Sequence, residues 1–192
     1  MRRHSSLVLA LILLALGCGG GESPGEQVEA VVDLDPDDPS LLMRPFSAEE
    51  IREEWVPGLR LLMQRTFPEE TRVERWTVVA ADDEGADIEY ATIADDGSVV
   101  GEPSVVRSTW VELRDHASFP AAHSSREWVS RSTMLGEFEG WLYRVAEPGA
   151  AVAKEFFFVP TLPGAPVQMH ILEGDTTVLE LEQTARLRPD TN

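Results

Sequence analysis

Three kinds of side chain in this sequence could carry chemistry: a single thiol, a few histidines and a large excess of carboxylates. Cys18 is the sole cysteine of the chain, so it has no intramolecular disulfide partner and its reactivity must serve something else. His116 and His123 lie seven residues apart in "DHASFPAAH", beside Asp115, and His170 lies far downstream. Drawn together, the three imidazoles could hold zinc or run acid–base hydrolysis, but only a fold that makes them converge gives that chemistry. "DLDPDD" puts Asp33, Asp35 and Asp37 at positions 1, 3 and 5 of a calcium loop. The register then fails, because Asp38 stands where the turn glycine belongs and Arg44 where the bidentate glutamate belongs. HExxH and CxxC are absent from the sequence, so neither a metal nor a cofactor is expected.

The position of Cys18 is more informative than its reactivity. Arg2 and Arg3 precede an uncharged apolar run, Leu7 to Leu16. That run is far shorter than the roughly 18 residues a membrane-spanning helix needs, and it has the length of the apolar region of a signal peptide. Ala15 and Gly17 stand third-last and last before Cys18. This pattern resembles the lipobox of bacterial lipoproteins, although that family prefers leucine where Ala15 stands and a small residue where Leu16 stands. The resemblance implies that residues 1–17 are removed, that the Cys18 thiol receives a diacylglyceryl group and the new amino terminus an acyl chain, and that the protein is held in the cell envelope by its lipids. By the same resemblance, Gly19 in place of aspartate points to the outer membrane.

After Cys18 the chain runs through glycine, proline and acid to Arg44, and residues 18–44 read as a flexible acidic tether. The whole chain carries a formal charge of −18. A nucleic-acid partner is excluded on that count, because phosphate recognition needs a basic footprint. Anionic lipid headgroups are disfavoured for the same reason, which leaves the acyl chains as the contact with the membrane.

Residues 45–192 are expected to form one α+β domain. Ser47 and Glu50 make a capping box, and Ile51, Trp55, Leu59, Leu62 and Met63 recur at helical spacing. An amino-terminal amphipathic helix from Ala48 is therefore predicted, broken or kinked at Pro57 and Gly58. From Thr71 the hydrophobic period changes to two, with turns at Asp82 to Gly85 and Asp95 to Ser98. Thr109 and Glu112 form a second capping box. Strands follow near Arg126 to Met134, Glu137 to Ala146, Val152 to Val159, Pro166 to Glu173 and Thr176 to Leu187. The expected architecture is a curved, mostly antiparallel meander of about eight strands with the helix packed on it.

The run "EFFFVP" breaks the alternation of one apolar and one polar face. Phe156 and Phe158 must point to one side of their strand and Phe157 to the other. Either the amino-terminal helix covers the second face, which is the expectation from the drive to bury apolar area, or Phe157 lies on an open face that receives an apolar ligand. A helix beside a long meander on a lipid-anchored chain is similar in architecture to the unclosed barrels of lipoprotein carriers and lipid-binding lipoproteins. Three functions follow in order: a non-enzymatic binding or structural role with a protein partner, a carrier of lipid or another apolar ligand, and a hydrolase using His116, His123 and His170.

Overall fold

The computed structural model describes residues 38–146 and 149–189. Cys18, the signal segment, Asp33, Asp35, Asp37 and the tether up to residue 37 lie outside the described residues. The first helix, α1 (Ala48–Glu54), opens with the expected capping box: the Ser47 hydroxyl accepts the Glu50 N–H at 3.1 Å, and the Glu50 carboxylate accepts the Ser47 N–H at 2.7 Å. It ends after seven residues. The helix expected to continue toward Met63 is instead strand β1 (Arg60–Thr66). Leu59, Leu61 and Met63 are also spaced two apart, and these are the residues that the fold buries, at 1%, 2% and 0% exposure. Pro57 and Gly58, the latter at φ 92°, separate the two periods.

The antiparallel elements then follow the sequence closely. Strands β2 (Thr71–Ala81), β3 (Gly85–Ile93) and β4 (Val99–Thr109) are joined by the two expected turns. Thr109 and Glu112 cap α2 (Trp110–Asp115), and a 3-10 turn at Ala121–His123 leads into β5 (Ser124–Thr133). Strands β6 (Gly136–Ala146), β7 (Val152–Phe158), β8 (Gln168–Glu173) and β9 (Thr176–Leu187) complete the chain. Among the described residues there are nine strands, one more than expected, and the addition is β1.

All nine belong to one open sheet in the order β4-β3-β2-β1-β9-β8-β7-β6-β5. Two meanders are joined where β1 pairs with β9, with Met63 opposite Gln183. The edges are β4 and β5. The link from β4 to β5, which carries α2, therefore has to cross a face of the sheet to reach the far edge.

That crossing creates the main core. Ile51 from α1, Trp55 at its carboxyl end, Trp110 from α2, and Ala117 and Phe119 after α2 cluster with Leu61, Met63, Ile88, Tyr143, Phe156 and Phe158 of the sheet. The Phe119 ring stacks on Phe156 at 4.9 Å between centroids and lies 5.1 Å from Tyr143, while Phe46 meets Phe158 edge-on at 5.9 Å. Trp55 donates its indole N–H to the Pro163 carbonyl at 2.9 Å. A Cβ on Gly164 would lie 2.2 Å from that indole nitrogen, so only glycine permits the contact.

Phe46, just before α1, and Phe119, just after α2, thus cover the face carrying Phe156 and Phe158. The Phe157 face is closed differently from expectation. Phe157 is fully buried with Leu142, Val159 and Val167, and Leu135, Phe138, Leu162 and Val129 pack around them. These come from the β5–β6 hairpin and the β7–β8 loop, so the sheet's own connections fold over that side. Val167 joins the Phe157 cluster, whereas Met169, two residues on, packs on the helix side. It precedes β8, where its N–H bonds the Phe157 carbonyl and its carbonyl accepts from Gln183.

The tether boundary at residue 44 also moves. Leu42 donates its N–H to the Phe119 carbonyl, Ala121 donates to Ser40, and Tyr143 donates its hydroxyl to the Met43 carbonyl at 2.6 Å. Arg44 reaches Ser118 at 2.6 Å and Asp115 at 3.2 Å. Residues 40–44 are therefore a strap of the domain, because their backbone groups and Leu42 find partners on the α2 crossing.

Both faces being filled leads to a stability expectation. Trp55→Ala and Phe157→Ala should each cost about 3–5 kcal/mol in chemical denaturation, the usual loss for a large buried aromatic. A Phe157→Ala protein as stable as the parent would mean that its face is open.

Candidate functional site

The three histidines are held by three different elements. His116 is exposed at the carboxyl end of α2, and His123 is exposed at the 3-10 turn before β5. His170 lies on β8, its ring nitrogens 3.3 Å from Glu180 and 3.8 Å from Glu155. Its partners are carboxylates of neighbouring strands, as in a cross-strand polar pair. Among the described residues, no three His, Cys, Asp or Glu side chains gather as a metal site. The fold does not assemble the hydrolase constellation.

Phe157, the residue that could have marked an apolar-ligand face, has 0% exposure. On the opposite side, the aromatic cluster occupies the space between sheet and helices. The interior is therefore made of protein on both faces at β7. One hollow among the described residues, of about 240 Å³, is lined by Gly58, Arg60, Leu187, Arg188 and Pro189; it lies at the end of β9.

Around His170 runs a charged ladder across the outer face. Arg131 reaches Glu155 at 2.9 Å, Arg144 reaches Glu155 at 2.7 Å and Glu127 at 2.6 Å, and Gln168 bonds Glu182. Burial works against the Glu155 charge, but hydrogen bonds from Arg144 and Arg131 outweigh it and hold the carboxyl below the usual glutamate range. A second cluster ties the domain's parts together: Glu54 of α1 bonds Arg186 at 3.0 Å and Arg188, and Arg186 also donates to the Pro163 carbonyl. Both groups join strands and loops, so their role is cohesion.

What the surface presents is aromatic and lies at the β5 edge. Trp128 of β5, 48% exposed, stands opposite Trp141 of β6, and the two rings meet edge-on at 4.9 Å. The Arg126 guanidinium lies 3.9 Å over the Trp141 ring and donates to the Met43 carbonyl of the strap. Sequence reasoning passed over this ledge. The signal was present, since the β5–β6 hairpin turns at Met134 and Leu135 and that turn alone sets Trp128 against Trp141.

The order of the sheet, the filled inner face and the crossing helix describe an open antiparallel sheet of nine strands with one face covered, and this arrangement can be compared with known proteins. No family model matches the chain, and no curated protein matches it. The fold is similar to that of MucB. The likeness to the MucB crystal structure has a TM-score of 0.51 at 9% sequence identity, covering 72% of this chain and 56% of MucB, so the chain spans little more than half of that protein's length. The MucA/MucB complex of Pseudomonas aeruginosa matches at a TM-score of 0.49 and 13% identity, over 73% of this chain and 53% of that one. A Parabacteroides distasonis protein described as a lipoprotein matches at 0.41 and 8% identity, over 69% of this chain and 96% of its own.

The charged ladder sets a pH dependence. A carboxyl held low in the folded state stabilises fully above its unfolded value, near 4.3, and that contribution fades as pH falls through the lowered folded value. Denaturant midpoints taken from pH 7 to pH 3 should fall on the acid side, and Glu155→Gln should flatten that acid limb. An unchanged limb in the variant would remove Glu155 from the account.

Proposed function

We propose that this chain is a lipid-anchored envelope protein, acylated at Cys18, whose domain binds a protein partner at its surface and carries out no catalysis. The observation that carries the reading is the filled interior. Phe119, Tyr143, Phe156 and Phe158 occupy the helix side of the sheet and Phe157 the other, which leaves the edges and the exposed faces for recognition. The scattered histidines support the non-enzymatic part. MucB, similar in fold, has been crystallised in complex with MucA, and that precedent is consistent with a protein partner here.

The anchor follows from the lipobox-like pattern at Ala15, Gly17 and Cys18, and Gly19 favours the outer membrane. Residues 19–37 together with the acidic domain keep the folded part off anionic headgroups, so the lipids hold the protein while the sheet faces its partner. Intact-mass analysis of the protein from an envelope fraction tests the anchor: a mature chain beginning at Cys18 with diacylglyceryl and acyl additions is expected, and Cys18→Ser should release the protein or leave it uncleaved. An unmodified amino terminus in the envelope fraction would defeat the anchoring half of the reading.

A further inference from the structure

The two edges of the sheet are built differently. On β4 the register against β3 shifts between Tyr90 and Thr92, Pro103 supplies no N–H, and Gly101 takes a φ of 75°. Those are the devices by which edge strands avoid pairing. Strand β5 has none of them. Its register with β6 is unbroken from Ser124 opposite Val145 to Thr133 opposite Gly136, and it holds no proline and no glycine.

The direction of its free backbone groups follows from the ladder. The Phe157 carbonyl is bonded by the Val167 N–H on the β8 side, so Phe156 and Phe158 turn their backbone groups toward β6. Trp141 and Tyr143, opposite them, turn theirs toward β7. Gly140 and Leu142 therefore face β5, and on β5 the outward-facing residues are Arg126, Trp128, Ser130 and Ser132. The same four point their side chains to the helix side, opposite Tyr143, Trp141, Glu139 and Glu137.

We infer that the β5 edge receives an extended, basic segment of a partner protein as a tenth strand, a deepening that rests on the protein-partner reading above. Strand addition of this kind takes its affinity from main-chain hydrogen bonds and its specificity from alternate side chains. Here the alternate positions are distinct. Trp128, already supported by Trp141 and Arg126, offers an apolar ledge to one bulky side chain. Ser130 and Ser132 are short and exposed, and beyond them Glu139 and Glu137 are exposed with no ion-pair partner among the described residues. A lysine or arginine on the added strand, passing over each serine, meets a carboxylate on β6. The occupant is thus one apolar residue followed, at alternate positions, by two basic ones, and the chain's −18 charge steers such a segment in.

The test uses the full chain in detergent micelles and a synthetic seven-residue peptide. Threonine alternates in it with one leucine and two lysines, supplied in both orders, and a control carries glutamates in place of the lysines. Hydrogen exchange read by mass spectrometry should slow across Ser124–Thr133 with the lysine peptide and not with the control, leaving Val99–Thr109 unchanged. Trp128→Ala should weaken binding about tenfold, and Glu137→Gln with Glu139→Gln about fivefold. Ser130→Pro removes only an outward N–H, so it should abolish binding while the β5–β6 ladder and the denaturant midpoint hold. Equal binding of the glutamate control, or the outward amides of Arg126, Trp128, Ser130 and Ser132 already protected without peptide, would overturn the inference, as would no binding at all. Protection of Val99–Thr109 instead would overturn the β5 assignment and leave the protein-partner reading standing. Stoichiometric lipid in an organic extract of the purified chain would sink that reading itself.

Discussion

The packing of Phe119 against Phe156, Tyr143 and Phe158 is the contact on which the rest of the fold depends. A nine-stranded open sheet has two faces and two edges to satisfy, and no strand supplies a cover for the inner face. The cover comes from the β4–β5 link, because its two ends lie at opposite edges and its shortest path crosses the sheet. Phe119 sits in that path, and the backbone beside it bonds Leu42 and Ser40 of the strap. One aromatic of this size buries about 150–250 Å², worth roughly 4–6 kcal/mol as an upper bound. The same residue thus fixes the crossing, the strap and the inner face of the β6 and β7 strands.

Filling has a functional consequence. In an open sheet that carries an apolar ligand on its inner face that face must stay open, and here Phe46, Trp55, Phe119 and Tyr143 occupy it. The outer face has its own cluster at Phe157 and a ladder of ion pairs over Glu155. Recognition is left to the rim, where Trp128, Trp141 and Arg126 form an ordered, half-exposed ledge beside an unblunted strand. Hot spots at interfaces favour these residue types for the same reason: large contact area at low conformational cost.

Local signals were legible in the sequence, and long-range ones were not. Both capping boxes, the turns at Asp82 and Asp95 and eight of the nine strands could be read from residue type and spacing, since each depends on neighbours a few positions away. Leu59 to Met63 failed because the segment satisfies a helical and an alternating period at once. Pairing on both sides, with β2 and with β9 from the far end of the domain, selects the strand. The two faces of Phe156 and Phe157 were legible from the pleat, but what closes the second face was not, because Leu135 and Leu162 reach it from loops. Likewise the strap of residues 40–44 has a tether's composition and gains its structure from Phe119 and Tyr143.

The central claim is that the interior is occupied by the protein's own aromatic side chains. Titrating the purified chain with an environment-sensitive apolar dye, with a long-chain fatty acid as competitor, tests it most directly. The account predicts no saturable, competable binding to the native protein at neutral pH. Stoichiometric dye binding that the fatty acid displaces, with the fold intact by circular dichroism, would contradict it.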